Sequence, residues 1–244
     1  MCGIVGIFNS YPELAPQEIA IRRMLGMIRH RGPDEFGIYL GDRVALGNAR
    51  LSIVDLSGGQ QPIANEDGSM WIVYNGEVFN YVELRAELEA RGHKFSTHTD
   101  TEVILHLYED LGPACLSRLN GQFAIAIYNE RDSSLFLARD RLGVRPLFYS
   151  KVGSELVFAS EIKAILAYPE LSAQFDPVAL DQVFTYWSAL GSRTCFRGVV
   201  SLLPGHYLLA KADKIEIAPY WQLDFAKDPR AKPQDAQTYI EQFR

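Results

Sequence analysis

The sequence begins with Met1-Cys2-Gly3-Ile4-Val5-Gly6-Ile7-Phe8, a short apolar strand with a cysteine beside the amino terminus. Because cysteine is small, we expect the initiator methionine to be trimmed, which would leave Cys2 as the first residue. Its α-amine has a reference pKa of about 7.7–8.0 and its thiol one of about 8.5. One residue would then supply both a nucleophile and a general base near neutral pH. The competing interpretation is a small or lipidated terminal residue, so the rest of the chain has to decide.

Composition describes a globular protein and argues against two kinds of partner. The chain has 244 residues, of which 48% are hydrophobic, enough for one large domain or two small ones. The net charge is −6 and Lys and Arg do not cluster, so we expect no nucleic acid partner. No apolar stretch has the length of a membrane span or the form of a secretory signal. We therefore expect no membrane partner and a cytoplasmic location.

The cysteines agree with a reducing compartment. Cys2, Cys115 and Cys195 are odd in number, widely separated and never in a CxxC pair. We therefore predict neither a disulfide framework nor a zinc site, and no metal ligands in the functional site. Apolar neighbours predict that Cys115 and Cys195 are small core residues.

Hydrophobic periodicity predicts helices and hairpins in one mixed chain. Helices are predicted over residues 16–30, 81–91, 101–111, 162–168 and 177–187. Strands are predicted over 36–54, with a turn at 41–42, and over 71–74, 122–128, 134–139, 147–150, 155–160, 207–210 and 214–217.

The strand at 122–128 decides how these elements are layered. Both of its faces are apolar, one with Phe123, Ile125 and Ile127 and the other with Ala124, Ala126 and Tyr128. A strand buried on both sides in a hairpin-rich chain needs a second sheet on one side and helices on the other. The expected fold class is therefore α/β (α+β): a four-layer αββα sandwich, with two mostly antiparallel sheets between helical layers.

The composition changes after Trp221. Residues 227–233 contain two Lys and two Pro and are typical of a linker, and residues 234–244 have a helical pattern that the chain end cuts off. We predict one domain over 1–222, followed over 223–244 by a linker and the start of a further domain.

Three polar clusters beside apolar segments have the residue types of a binding site. They are Arg50 in a strand, Asn75-Gly76-Glu77 at a predicted strand end, and Asp100 at a helix start. Each has an ordinary structural interpretation. Arg50 could be a solvated strand-edge charge, Asn75-Gly76 a hairpin turn, and Asp100 a helix cap.

Together with Cys2, the clusters match the groups of one substrate, glutamine. An Arg can hold its α-carboxylate, an Asp or Glu its α-ammonium, and a thiolate can attack its side-chain amide. The oxyanion that forms needs two donors. An Asn side-chain amide and a neighbouring Gly N–H can provide them.

Five motifs give the chain a resemblance to a known family. They are residues 1–8 quoted above, Arg29-His30-Arg31-Gly32-Pro33-Asp34, Ala49-Arg50-Leu51-Ser52-Ile53-Val54-Asp55, Tyr74-Asn75-Gly76-Glu77 and Thr99-Asp100-Thr101-Glu102. In this order they resemble the glutaminase domain of glutamine-dependent asparagine synthetases, which are class II amidotransferases with the N-terminal-nucleophile (Ntn) hydrolase fold. The resemblance extends to about Trp221 and includes Arg139-Asp140 and Leu203-Pro204-Gly205-His206.

The resemblance implies a role for each matching residue. Cys2 would be the nucleophile with its own α-amine as base, and Asn75 and Gly76 would form the oxyanion hole. Arg50 would clamp the carboxylate. Glutamine would also be bound by Glu77, Asp100 and the backbone near Leu51 and Ile53. The motifs resemble the asparagine synthetase branch more than the hexosamine-phosphate or purine-pathway branches, and β-lactam synthetases typically lack the cysteine.

One feature of the family is absent from this sequence. Asparagine synthetases carry a Ser-Gly-Gly-x-Asp-Ser pyrophosphate loop, whereas Ser57-Gly58-Gly59-Gln60-Gln61 shares only its first half and is interpreted as a turn. We therefore expect no cofactor in this chain, with ATP and Mg²⁺ confined to a synthetase domain outside it. The expected partners are L-glutamine, that C-terminal synthetase domain and, in a homodimer, a second copy.

Two alternatives remain open at this point. The first is a non-catalytic glutamine-sensing or interaction domain, in which a retained Met1 would turn the base into an amide nitrogen. The second is a free-standing amide hydrolase with another substrate.

Overall fold

The computed structural model describes residues 1–11, 18–56, 58–212, 214–224, 237–238 and 241. Within them, the strands are β1 (Gly3–Asn9), β2 (Glu35–Leu40), β3 (Val44–Arg50), β4 (Ile63–Ala64), β5 (Met70–Val78), β6 (Gly121–Asn129), β7 (Ser134–Arg139), β8 (Phe148–Val152), β9 (Glu155–Ala159), β10 (Val199–Ser201), β11 (His206–Lys211) and β12 (Lys214–Pro219). The helices are α1 (Glu18–Met27), α2 (Tyr81–Ala90), α3 (Asp100–Leu111), α4 (Ile162–Leu166) and α5 (Pro177–Tyr186), with short 3₁₀ turns at Arg29–Arg31 and Gly112–Ser117.

The strands form two six-stranded antiparallel sheets. One has the order β10-β8-β9-β1-β3-β2 and the other the order β12-β11-β7-β6-β5-β4. β1 lies inside the first sheet between β3 and β9, and β5 and β6 lie inside the second.

Three apolar clusters hold the layers together. The cluster between the sheets contains Ile4 and Phe158 from the first sheet and Ala126 from the second. A second cluster joins the outer face of the second sheet to α2 and α3, and a third joins the outer face of the first sheet to α1 and α4. This is the four-layer αββα sandwich that the two apolar faces of β6 predict.

Several segments differ from their predicted bounds. The strand predicted over 36–54 stops at Arg50, because the guanidinium of Arg50 binds the carbonyls of Val54 and Asp55 and draws the chain into a loop. The strand predicted over 71–74 continues to Val78. Two short strands, β4 and β10, were not predicted at all.

Other predictions concern single residues or fall outside the described chain. Cys115 is buried as predicted, but Cys195 is only half-buried, so its prediction as a core residue was wrong. The first residues of the helix predicted over 16–30, and most of the predicted linker and helix over 223–244, lie outside the described residues. No helix in the described part of the chain is long and apolar enough to cross a membrane.

The inter-sheet cluster generates a first prediction, on stability. Phe158 is fully buried, and its ring occupies the space that a side chain on Gly6 of β1 would need. Phe158→Ala should lower the free energy of unfolding by about 3–5 kcal/mol, because it leaves a cavity between the sheets. Urea denaturation followed by circular dichroism measures the change. The control is Phe184→Ala on α5, where the ring is 86% exposed and a change within about 0.5 kcal/mol is expected. Equal effects of the two variants would contradict this account of the core.

Candidate functional site

Cys2 is held at the end of β1 by backbone contacts. Gly3 pairs with Ala49 of β3, which brings Cys2 beside the residue that follows that strand. The N–H of Leu51 donates to Sγ of Cys2 at 3.4 Å, and the thiol lies 3.6 Å from the Leu51 carbonyl oxygen. These contacts fix where the sulfur points.

Arg31 is a site residue that sequence reasoning missed. Its Nε donates to the carbonyl oxygen of Cys2 at 2.9 Å, and its Nη1 pairs with Glu161 at 2.9 Å. The next residue, Gly32, has no room for a side chain, because a Cβ there would overlap the carbonyl of Ala49. The Arg-Gly-Pro motif therefore positions the backbone of Cys2.

Asn75 and Gly76 lie inside β5 and are not a hairpin turn. Both pair with β6, Asn75 with Ala124 and Gly76 with Phe123. The prediction that they stand at a strand end was wrong, because pairing with β6 continues past them to Val78. Turn propensity of Asn-Gly is overridden here by the neighbouring strand.

The backbone N–H of Gly76 faces away from β6. Amide directions alternate along an antiparallel strand, so residues 74, 76 and 78 point their N–H groups to the same side. On that side the N–H of Tyr74 donates to Oε1 of Gln61 at 2.7 Å, and the N–H of Val78 donates to Oδ2 of Asp100 at 3.0 Å. β4 pairs only with Trp71 and Ile72, so Gly76 lies beyond the part of β5 that it covers.

Asn75 supplies a second donor to the same region. Its side-chain Nδ2 is buried and has no hydrogen-bond partner among the described residues. A buried amide without a partner costs about 1–3 kcal/mol, which is a reason to expect a ligand group at this place. The Asn75 side chain and Gly76 both line the pocket that contains Cys2.

Asp100 begins α3 without capping it. The cap is Thr99, whose side chain accepts from the N–H of Glu102, so the interpretation of Asp100 as a helix cap was wrong. Oδ2 of Asp100 instead accepts from the Tyr74 hydroxyl at 2.8 Å and from the Val78 N–H. Burial raises the pKa of the Asp100 carboxyl above its usual value, although these hydrogen bonds act in the opposite direction.

Arg50 is buried, only 4% exposed, and so is not a solvated strand-edge charge. Its Nη1 donates to Glu35 at 2.6 Å, and its Nη2 donates to the carbonyls of Val54 at 3.0 Å and Asp55 at 2.6 Å. A guanidinium has five N–H donors, so these three bonds orient it and leave two donors. Gly59 packs against it, because a Cβ there would lie 2.5 Å from Nη2.

The remaining predicted residues lie at the edge of the same pocket. Ile53 is 70% exposed, Leu51 is partly buried and Glu77 is exposed. All eight predicted site residues line this one pocket. The other lining residues, which sequence reasoning did not name as site residues, are Met1, Val54, Gly59, Gln61, Tyr74, Thr99, Thr101 and Arg145.

Asp140 holds the loop that carries Arg145 into the pocket. Its carboxylate accepts N–H groups of Phe123 at 3.2 Å, Leu142 at 3.1 Å, and Val144 and Arg145 at 2.9 Å each. Arg145 in turn contacts the sulfur of Met1. The Arg-Asp motif therefore shapes one wall of the pocket through the backbone.

Fold and site together define a class of protein. A terminal strand inside an αββα sandwich presents a cysteine to a pocket lined by Arg, Asp and an Asn-Gly pair, as expected for an amidotransferase of the N-terminal-nucleophile type. A solved structure of glutamine phosphoribosylpyrophosphate amidotransferase from Bacillus subtilis has the same fold, with a TM-score of 0.64 at 22% identity over 91% of this chain and 50% of that one.

Sequence comparison identifies the family. The glutamine amidotransferase domain family matches residues 1–221, so the chain belongs to that family. An asparagine synthetase [glutamine-hydrolyzing] 3 of Bacillus subtilis is 42% identical over 93% of this chain, and the chain spans 38% of that protein. Amidase chry2 of Gibberella zeae is 39% identical over 85% of this chain, which spans 31% of it. The chain is thus a glutamine amidotransferase domain closely related to glutamine-hydrolysing asparagine synthetases.

The packing of Gly76 generates a second prediction. A Cβ at this position would overlap the carbonyl oxygen of Gln122 and approach the backbone of Phe123 to 2.8 Å. Gly76→Ala should therefore lower the free energy of unfolding by about 1–3 kcal/mol, the usual cost of overpacking. Gly26→Ala is the matched control, since residue 26 lies in α1 with nothing within 4 Å of the added atom. That substitution should stabilise by about 0.5–1 kcal/mol. Urea titrations of both variants measure the difference, and a neutral Gly76→Ala would refute the close packing.

Proposed function

We propose that this domain hydrolyses L-glutamine to glutamate and ammonia through a thioester on Cys2. One observation carries the proposal: the Cys2 thiol, the unpartnered Nδ2 of Asn75 and the outward N–H of Gly76 converge on a single pocket. Two donors beside a nucleophilic sulfur are what an acyl-transfer oxyanion needs.

Charged groups in the pocket match the two ends of the amino acid. The two remaining donors of the oriented Arg50 guanidinium suit the α-carboxylate. Asp100, with Glu77 at the pocket edge, suits the α-ammonium. Backbone near Leu51 and Ile53, which line the same pocket as Cys2 and Arg50, would complete the glutamine site.

The chemistry proceeds in two halves. The α-amine of Cys2 takes the thiol proton, and sulfur bonds to the side-chain carbonyl carbon of glutamine while the carbonyl oxygen gains negative charge. Asn75 and Gly76 donate to that oxygen. An electron pair on that oxygen then re-forms the carbonyl, and the C–N bond breaks. The protonated α-amine of Cys2 gives its proton to the departing nitrogen, which leaves as ammonia. Water adds to the γ-glutamyl thioester, releasing glutamate and the thiol.

Removal of Met1 is part of this proposal. With Met1 in place the nitrogen of Cys2 is an amide and cannot act as a base, and Met1 lies at the pocket against Arg145. Removal of Met1 would free the α-amine of Cys2 and the part of the pocket that Met1 lines. Intact mass spectrometry shows whether the methionine is gone.

In the whole protein, the ammonia would serve asparagine synthesis from aspartate. The basis is the similarity to an asparagine synthetase [glutamine-hydrolyzing] of which this chain spans 38%. We place the glutaminase domain at 1–222 and the start of an ATP- and Mg²⁺-dependent synthetase domain within 223–244. This chain itself would need no cofactor for glutamine hydrolysis. A free nucleophilic thiol suits a reducing cytoplasm, and a homodimer is compatible with the proposal.

A second candidate function is hydrolysis of a different amide. It is favoured by the relative named as an amidase. A panel of primary amides with and without an α-carboxylate separates the two candidates, since the oriented Arg50 favours substrates that carry that group. Turnover of amides that lack it, at the rate of glutamine, would support the amidase and contradict the Arg50 clamp.

The oxyanion site generates a third prediction. Asn75→Ala should lower kcat for glutamate release about 100- to 1000-fold, the usual effect of removing one oxyanion donor. Cys2→Ala should form no thioester and release no glutamate. A coupled glutamate assay measures both, with Met1 removal verified by intact mass. Wild-type turnover by Cys2→Ala would exclude the mechanism, whereas glutamine binding without turnover in the trimmed wild type would indicate the sensing domain.

Asp100 generates a fourth prediction, on the pH dependence of binding. The α-ammonium of glutamine requires an ionised Asp100, and burial raises the pKa of that carboxyl. Affinity should therefore fall as the pH falls through this raised pKa. Calorimetry in a Cys2→Ala background measures the dissociation constant without hydrolysis.

Variants at acidic residues make the pH measurement specific. Asp100→Asn should weaken binding at neutral pH roughly 10- to 150-fold, the equivalent of about 1.5–3 kcal/mol for a charged hydrogen bond, and should remove most of the acid dependence. Asp181→Asn, an exposed carboxylate on α5, is the control and should bind like the parent. Unchanged affinity in Asp100→Asn would mean that Asp100 has only a structural role.

A further inference from the structure

Four metal-ligating side chains meet on the side of α3 away from the glutamine pocket. Glu66 comes from the turn between β4 and β5, His93 follows α2, and His106 and Glu109 lie three residues apart on α3. Each offers one nitrogen or oxygen atom, and these four atoms all lie within 4.8 Å of one another. Three separate chain segments therefore contribute to one compact group of two imidazoles and two carboxylates.

His106 points to a ligand in this group. Its side chain is 0% exposed, and neither ring nitrogen has a hydrogen-bond partner among the described residues. Oε2 of Glu109 is also buried and unpartnered, while its Oε1 accepts from Asn65 at 3.1 Å. Leaving buried polar atoms unpaired costs about 1–3 kcal/mol each. A cation between Nδ1 of His106 and Oε2 of Glu109, which face each other at 3.7 Å, would remove that cost for both atoms.

The spacing of the atoms suits tetrahedral coordination. Zn²⁺ bonds nitrogen and oxygen ligands at about 2.0–2.2 Å, which gives tetrahedral edges of roughly 3.3–3.6 Å. Nδ1 of His106 lies 3.4 Å from Oε2 of Glu66 and 3.7 Å from Oε2 of Glu109. Nδ1 of His93 lies 3.3 Å from Oε1 of Glu66. Glu66 faces the two imidazoles through different carboxylate oxygens, and the four ligand atoms lie within 4.8 Å of one another. Closing around one ion would therefore require side-chain movements of about 1 Å.

Both imidazoles have a carboxylate on the opposite ring nitrogen. Nε2 of His93 lies within hydrogen-bond distance of Oδ1 of Asp110, at 3.1 Å, whereas Nε2 of His106 faces Oε1 of Glu102 at 3.7 Å, an electrostatic contact too long for a hydrogen bond. Metal-ligating histidines usually donate their second N–H to such a carboxylate, which fixes the tautomer and leaves Nδ1 free to bind the metal. Two ligating carboxylates would also neutralise the charge of a divalent ion.

We propose that Glu66, His93, His106 and Glu109 form a structural site for a divalent transition metal of the zinc type. Imidazole and carboxylate donors in a closed four-ligand set favour Zn²⁺ over Mg²⁺ or Ca²⁺, which prefer oxygen alone. A bound ion ties α3 to the turn before β5. α3 begins with Asp100, and β5, which follows that turn, contains Asn75. The metal therefore stabilises elements that line the glutamine pocket without entering the pocket.

Zinc binding to the 244-residue chain tests the proposal. The experiment uses a Cys2→Ala background, so that the partly exposed Cys2 thiol cannot bind the ion. Isothermal titration with Zn²⁺ should show one site, and Zn²⁺ should raise the unfolding temperature, because it binds only the folded arrangement of these ligands. Co²⁺ in place of Zn²⁺ should show the intense visible absorption of a tetrahedral site.

Single-ligand variants make the assignment specific. His93→Gln and Glu109→Gln, on partly exposed side chains, should weaken zinc binding by at least about 10- to 100-fold, and His106→Gln should do so as well if it folds. His30→Gln is the matched control, since His30 is an exposed histidine 2.9 Å from Glu161 and outside the cluster, and it should bind zinc like its parent. Absence of stoichiometric binding, or binding unchanged in both His93→Gln and Glu109→Gln, would overturn the proposal and identify a cluster that binds only protons.

Discussion

The burial of β1 on all sides is the constraint on which this structure depends. All seven residues from Gly3 to Asn9 are buried, with β3 and β9 as neighbours in the sheet and apolar clusters on both faces. A strand held in this way cannot slide by one residue without turning its apolar side chains to the wrong face. Cys2 directly precedes this strand, so the register of β1 fixes the position of Cys2.

Much of the fold was predictable from local pattern, because burial on both faces leaves a clear mark in a sequence. β6, with apolar residues at every position from Phe123 to Tyr128, indicated the four layers and the structure confirms them. β4 and β10 were not predictable, since strands of two and three residues show no periodicity. Asn75-Gly76 was misplaced because its turn propensity is local, whereas its pairing with β6 joins residues about fifty positions apart.

The residues of the candidate site likewise fall into a group that was predictable from the sequence and a group that was not. Residues that line the pocket and carry reactive or charged groups stood out by chemical type, among them Cys2, Arg50 and Asp100. Those that position them did not, because their partners lie far along the chain. Oε1 of Gln61, two residues before β4, accepts a hydrogen bond from the Tyr74 N–H, beyond the part of β5 that β4 covers. The histidine cluster was not predicted for the same reason. The prediction on metal ligands depended on cysteine spacing, which does not detect single His and Glu residues in separate chain segments.

α3 links the pocket to the histidine cluster through one short stretch of chain. Its first residue, Asp100, lines the pocket that contains Cys2. Glu102 accepts hydrogen bonds from the N–H and hydroxyl groups of Ser96 and Thr97 and faces His106. Burial acts to raise the pKa of the Glu102 carboxyl, but the facing His106 imidazole and the hydrogen bonds from Ser96 and Thr97 lower it to about 2, so this carboxyl stays ionised across the physiological range. The negative charge of Glu102 favours an N–H on the facing nitrogen of His106. On its other side, Glu102 holds the segment before α3 through its hydrogen bonds with Ser96 and Thr97. The first two turns of α3 therefore contribute both to the pocket and to the surroundings of His106.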